Sequence, residues 1–197
     1  MDQLPGRLLM RYSSTHKQET REKLLDSSRA IAKKGGFDKT GVDALMSAIG
    51  LTGGAFYSHF RSKEDLFAQL IQREVELSAD MLAGDENSPP DHVAKRIRSY
   101  LSTSHALHPD DGCVLPALGP EIARSSPQVK AQVEATLKRL QKSWATRLDD
   151  NDAGWALIAQ CVGAIMLARV VESERTRQEI LAASRRFLEK AQQPGKE

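Results

Sequence analysis

Residues 40–60 read TGVDALMSAIGLTGGAFYSHF, and Lys63 follows three positions later. Thr40, Thr52, Tyr57, Ser58, His59 and Lys63 are donors of the kind that hold phosphate oxygens. Among them Gly53, Gly54 and Ala55 make a first helical turn with almost no side chain. Such a turn lets a helix N-terminus, with its free N–H groups and partial positive charge, approach an anionic surface closely. Residues 53–60 contain no Arg, Asn or Gln. Bidentate base reading is therefore not expected. If the anionic surface is a DNA groove, Thr52 or Ala55 against thymine methyls, together with DNA shape, is left to carry sequence preference. A second group is Cys113 with His105 and His108. A thiol at a helix start is activated toward thiolate, and two histidines three apart can face one metal. No acidic residue or third histidine has ligand spacing, so the plainer readings are a solvated helix end and a small buried cysteine. No metal or cofactor is expected, and nothing beyond this group points to an enzyme.

The elements that must position these residues are almost all helical. Apolar residues recur at i, i+3, i+4 and i+7, and no sustained period-2 alternation occurs. The first helix starts after Thr15 in capping-box spacing with Gln18. It buries Leu24, Leu25, Ser28, Ile31 and Ala32 and stops at Gly35-Gly36. Residues 40–49 and 53–60 are two short helices around a turn at 50–52, a helix-turn-helix pattern. Gly50 suits the bend because glycine takes positive φ without penalty. Val42, Leu45, Ile49, Leu51, Phe56 and Phe60 should face inward. A longer helix capped by Ser62 runs from Lys63 to residue 83, with Leu66, Phe67, Leu70, Ile71, Leu77, Met81 and Leu82 on its stripe. The polar, proline-containing stretch 84–91 reads as a linker. Helices are then expected over 91–107, 114–124 (short or kinked by Pro116 and Pro120), 126–148 behind a Ser126-Pro127 start, 153–171 and 176–190. The total is about nine.

Composition fits an ordinary folded domain. The 197 residues are 40% hydrophobic and 27% charged, with two cysteines. Two cysteines without a CxxC spacing supply neither a disulfide framework nor a zinc site, and Cys161 reads as inert core. The N-terminus lacks a secretory pattern, and the apolar stretch 153–168 is shorter than the roughly 20 residues of a membrane span, so a cytoplasmic location is expected. The net charge of +2 hides a split. Residues 1–63 hold 11 Lys and Arg against 6 Asp and Glu, and the remainder holds 17 against 20. The basic end coincides with the helix-turn-helix, as anion binding requires. Five of the ten aromatics lie between Phe37 and Phe67, enough ring area to hold a small N-terminal unit together. The expected division is 1–62 and 63–197, joined by the 63–83 helix.

Residues 20–71 resemble the DNA-binding domain of the TetR family of bacterial transcriptional regulators. The shared pattern is a Leu-Leu helix ending in Gly-Gly-Phe, then Gly50-Leu-Thr-X-Gly-X-Phe-Tyr-X-His-Phe60, then Ser62-Lys-Glu-X-Leu66. The resemblance implies an all-α fold, a helix-turn-helix domain and a helical ligand-binding and dimerisation domain. It implies a homodimer that binds a palindromic DNA operator, most simply as a repressor, and lets go when a small-molecule inducer binds. Thr40, Thr52, Tyr57 and Lys63 then contact DNA, Gly54 permits close approach and His59 sits near the groove. Gly53 stands where Lys or Arg is common, and Gly41 where a second Thr is common. The Gly112-Cys113 start of the 114–124 helix is similar to one subgroup of these regulators, some of which sense oxidants through cysteine. A thiol-sensing repressor acting through Cys113 is therefore an alternative, as is a DNA-bound scaffold that recruits a protein. From inward helical phase, Tyr100, Ser104, Leu107, Cys113, Leu118, Leu137, Leu140, Trp144 and Met166 are the expected ligand-pocket residues. Ala159, Gly163, Ala164, Ala168, Ile180, Phe187 and Leu188 are the expected dimer interface.

Overall fold

A computed structural model describes residues 14–85 and 87–191. The N-terminal stretch read above for a secretory pattern, and Glu86 of the expected linker, lie outside the described residues. Helix and turn account for the described chain, with no strand among the described residues. Helix α1 (Ser14–Gly35) begins before Thr15 rather than after it, so Thr15 lies inside the helix. It ends as expected: Gly36 takes φ 86°, and its N–H donates to the Ala32 carbonyl over 2.8 Å. Phe37 then turns back onto Phe67, ring centroids 4.9 Å apart. Helix α2 (Val42–Ser47) is followed by a turn and a short 3₁₀ helix, Gly53–Ser58, which is the expected second helix in tighter winding.

Helix α3 (Lys63–Ala83) is capped by Ser62, whose hydroxyl accepts from the Asp65 N–H. Its stripe differs from the expectation at two positions. Leu77 and Met81 are exposed, at 54% and 52%, because with Glu74 they line an open cleft rather than a packed neighbour. Val75 and Ala79 take the inward places instead.

The expected helix over 91–107 is two helices, α4 (His92–Tyr100) and α5 (Thr103–Leu107). Side chains make the break. The Ser102 hydroxyl caps α5 through the His105 N–H. The His105 ring bonds the Tyr100 carbonyl at 2.6 Å, and Arg185 donates to the Leu101 carbonyl at 3.0 Å. Those carbonyls no longer need the next helical turn.

Helix α6 (Leu115–Arg124), α7 (Pro127–Leu148), α8 (Asn151–Val170) and α9 (Glu174–Ala191) complete the chain. The starts of α7 and α8 follow the local code. Ser126 caps α7 ahead of Pro127, and Asp150 accepts from the Asp152 and Ala153 N–H groups. Helix α3 packs on α7, α7 on α8 and α8 on α9. By length and composition alone α8 could cross a membrane. Here Leu157, Ile158, Cys161, Ala164, Ile165 and Ala168 are its buried side, against the other helices.

Two apolar clusters result. One gathers α1, α2, the 3₁₀ helix and the first half of α3, and includes Leu118 and Ile122 of α6 with Val129 and Val133 of α7. The other gathers the end of α3 with α4, α7, α8 and α9 around Trp144. The Trp144 indole N–H donates to the Leu82 carbonyl at 3.0 Å, the polar handle a buried Trp needs.

Candidate nucleic-acid interface

The bend at Gly50 has φ 75°, the left-handed conformation its sequence position asks for. It sets the 3₁₀ helix across α2. Leu45, Met46, Phe56 and Phe60 are buried beneath, and the Phe56 and Phe60 rings stack at 5.8 Å. Met46, fully buried, fills this contact. Val42 and Ile49 are half-buried. Leu51 departs from the inward reading: it sits in the turn itself and is 37% exposed.

The outer face is bare and donor-rich. Tyr57 is 68% exposed, steadied by an edge contact with Phe56 at 5.3 Å. A side chain added at Gly54 would meet nothing. Thr52 occupies the N-cap place of the 3₁₀ helix but its side chain makes no capping bond, which leaves the hydroxyl for a phosphate or base. Ser58 gives its hydroxyl proton to the Ala55 carbonyl, and Ala55 is half-buried. Thr40 donates to the Gly36 carbonyl. Lys63 donates one proton to the Asp38 carbonyl at 2.9 Å and lies 5.0 Å from the Phe37 ring centroid. An ammonium has three donors, so it can still reach a phosphate. At Gly53 an added Cβ would fall 1.8 Å from the Asp43 carboxylate oxygen, so a side chain there requires that exposed carboxylate to swing aside.

The sequence reading missed a basic depression beside this face. Lys17, Arg21, His59 and Arg61 line it, with Asp65 and Gln69. Lys17 and Arg21 stand four apart on α1, one face of a helix, and that spacing was the available signal. Arg21 lies over the Phe60 ring and bonds Gln69. Burial, then the charge of Lys17, holds the His59 imidazole below its ordinary value, so this ring is neutral in a cationic surrounding. Backbone N–H donation from Arg61 holds the Asp65 carboxyl down.

One more contact fixes the unit. The Glu121 carboxylate of α6 accepts from the Phe37 and Asp38 N–H groups at 3.0–3.1 Å, joining the chain just past α1 to the C-terminal half.

Residues 24–70 match the family model described as "Bacterial regulatory proteins, tetR family". That match covers the helix-turn-helix region, about a quarter of the chain. Among tetR-type relatives, an HTH-type transcriptional repressor, Rv1474c of Mycobacterium tuberculosis, is 37% identical over 67 residues, 34% of this chain and 36% of that protein. The chain thus spans about a third of that relative. The HTH-type transcriptional repressor KstR of Rhodococcus jostii is 22% identical over 81% of this chain and 74% of its own. A TetR transcriptional regulator from Chloroflexus aurantiacus, 21% identical, superposes with TM-score 0.71 over 89% of this chain and 96% of that one. The all-α, two-part tetR fold is therefore this chain's fold.

The residues expected at a ligand pocket divide. Tyr100, Ser104 and Cys113 line a cleft of ≈ 360 Å³. Tyr100 and Cys113 also border an apolar slot with Leu137, Leu140 and Trp144. Leu107 and Met166 are exposed and Leu118 lies in the N-terminal cluster, so inward phase misplaced all three. Helix α5 is too short to fix a phase, and α8 is apolar on every side. The cleft also takes Arg29, Lys33 and Glu74 from α1 and α3. Lys33 bonds Glu74 and the Gly112 carbonyl. His105 is not a solvated helix end. Its Nε2 accepts the Cys113 N–H at 2.9 Å, so Nδ1 carries the proton given to Tyr100. Both bonds require the neutral ring, and burial holds its pKa below the ordinary value. Gly112 is glycine because an added Cβ would fall 2.3 Å from that ring.

The expected interface residues divide as well. Ala159 and Phe187 are exposed, and Gly163 and Ile180 half-buried. Ala164 and Ala168 of α8 and Leu188 of α9 are internal core, on the side of each helix that packs against the rest of the described chain. The outward side of α8 and α9 instead shows Trp155, Leu167, Val170 and Phe187, the last two 77% and 65% exposed.

Proposed function

We propose that this chain is a transcriptional regulator of the repressor type, working in the cytoplasm and without enzymatic activity. It binds a palindromic operator as a homodimer and releases it when a small molecule occupies the C-terminal half. Residues 1–62 bind DNA, residues 63–197 sense and dimerise, and α3 runs through both. The observation that carries this reading is the bare, donor-lined 3₁₀ face with its basic flank of Lys17, Arg21 and Arg61, inside the family match over residues 24–70. Thr52, Tyr57 and Lys63 hold phosphates, Thr40 and Ser58 join them when their hydroxyls rotate off the Gly36 and Ala55 carbonyls, Gly53, Gly54 and Ala55 allow close approach, and His59 faces the groove edge. Dimerisation is supported by the exposed apolar side chains Trp155, Leu167 and Val170 of α8 and Phe187 of α9, the kind of surface an interface covers. Two-fold pairing there would set the spacing of two operator half-sites. Coupling is supported by Glu121 and Lys33, which bind the DNA-reading half to α6 and to the Gly112 loop. Thiol sensing is the weaker reading, because Cys113 is buried and its backbone is tied to His105.

Selection of bound duplexes from a random pool tests the proposal. The expected result is an inverted repeat whose binding constant falls steeply with salt, as release of phosphate counterions requires. No enrichment, or binding indifferent to salt, would refute it.

A further inference from the structure

Resting on that sensor reading, we propose that the ligand is a small amphipathic carboxylate. Its head group is held by Arg29 and Arg96 in the cleft beneath α1, and its apolar body lies along Leu77 and Met81 on the wall of the same cleft. The cleft's ≈ 360 Å³ is at the small end of ligand sites. Two guanidinium groups border it, and among the described residues neither has an ion pair. The Nε of Arg29 is buried with no hydrogen-bond partner, a costly state that an acceptor would relieve. The charges opposite are fewer than they look. Glu74 faces the cleft, but Lys33 neutralises it. Asp111 alone stands against the two arginines. That balance suits a single negative charge, and the planar guanidinium fork suits a carboxylate.

Tyr100 marks where the polar cleft ends. It is 6% exposed and its hydroxyl is buried without a partner. It stands between the cleft and a slot walled by Leu140, Trp144 and Ile158 whose ≈ 20 Å³ holds about one water, so the ligand stays in the cleft and the hydroxyl donates to its head group. His105 supplies no competing donor, since both of its nitrogens are engaged. Arg29 also belongs to α1, so the ligand head would touch the DNA-reading half directly.

Isothermal calorimetry on the full chain with 4-phenylbutyrate and octanoate, each beside its amide, tests this. At least one acid should bind, with its amide at least tenfold weaker. Arg29→Gln and Arg96→Gln should each weaken the acid at least tenfold. The proposal is overturned if neither acid binds, if acid and amide bind alike, or if both variants bind like the parent. The acid–amide comparison needs no variant, so misfolding cannot mask it. Retention of the selected operator is measured separately. Operator binding released only by neutral compounds would keep the regulator and sink the carboxylate. Acid binding without any operator binding would do the reverse.

Discussion

Replacing Lys33 by methionine should be among the most damaging single changes in this chain. The ammonium is buried, bonds the buried Glu74 carboxylate and donates to the Gly112 carbonyl at 2.7 Å. Methionine keeps most of the stem's volume, so packing loss is small. What remains is a carboxylate out of water with its counter-charge gone, which costs about 3–5 kcal/mol. For a chain of this size each kcal/mol lowers the melting temperature by roughly 2–4 °C, so a fall of about 6–20 °C is expected. Replacing both partners, Lys33→Met with Glu74→Met, removes the stranded charge. Only the bond to Gly112 is then lost, worth about 1–2 kcal/mol. Urea unfolding of the parent, both single variants and the double variant, at one fixed protomer concentration, closes the cycle. A Lys33→Met cost below about 1 kcal/mol, or a double variant no more stable than the single, would refute the reasoning.

Gly112→Ala should cost about 1–3 kcal/mol by forcing the His105 ring aside, and His105→Ala should recover part of it in the same background, read by thermal melting. Stability should decline as pH falls below about 6.5, the ordinary histidine value. His105 is held below that value when folded, so the unfolded chain binds the extra proton and acid favours unfolding. Above it the contribution is complete. His105→Gln should flatten the slope in urea midpoints, leaving the part due to His59, which is shifted in the same direction. Leu167→Asp puts a charge on the exposed side of α8 and should yield monomers by sedimentation, with operator affinity lost.

What was legible in the sequence was local. The Gly36 and Gly50 bends and the caps at Ser62, Ser126 and Asp150 each depend on a few neighbouring residues, and each stands where the sequence puts it. The DNA-facing string was legible because its donors and glycines are contiguous. What was hidden depends on distant partners. The break between α4 and α5 is made by Arg185, 84 positions away. Leu77 and Met81 are exposed because their face of α3 borders a cleft whose other walls come from α1, α4 and α5. Phase could not orient α8, where apolar residues occupy every side, so core and interface positions were exchanged. Arg29 and Lys33 gave no sign of bordering a cleft, since helical phase within α1 says nothing of α4 and α5.

The contact between Asp43 and Gly53 constrains how this protein could acquire a new operator. A cationic side chain at position 53 would add the base-reading fork that the 3₁₀ helix lacks, and its first carbon would meet the Asp43 carboxylate oxygen. Asp43 is exposed and makes no ion pair among the described residues, so its carboxylate can swing aside and then stands beside the incoming cation. A guanidinium there is shared between that carboxylate and the DNA. Gly53→Arg alone should therefore change DNA preference weakly and Gly53→Arg with Asp43→Ala more strongly, and libraries that vary only the exposed face of the 3₁₀ helix would miss the pair.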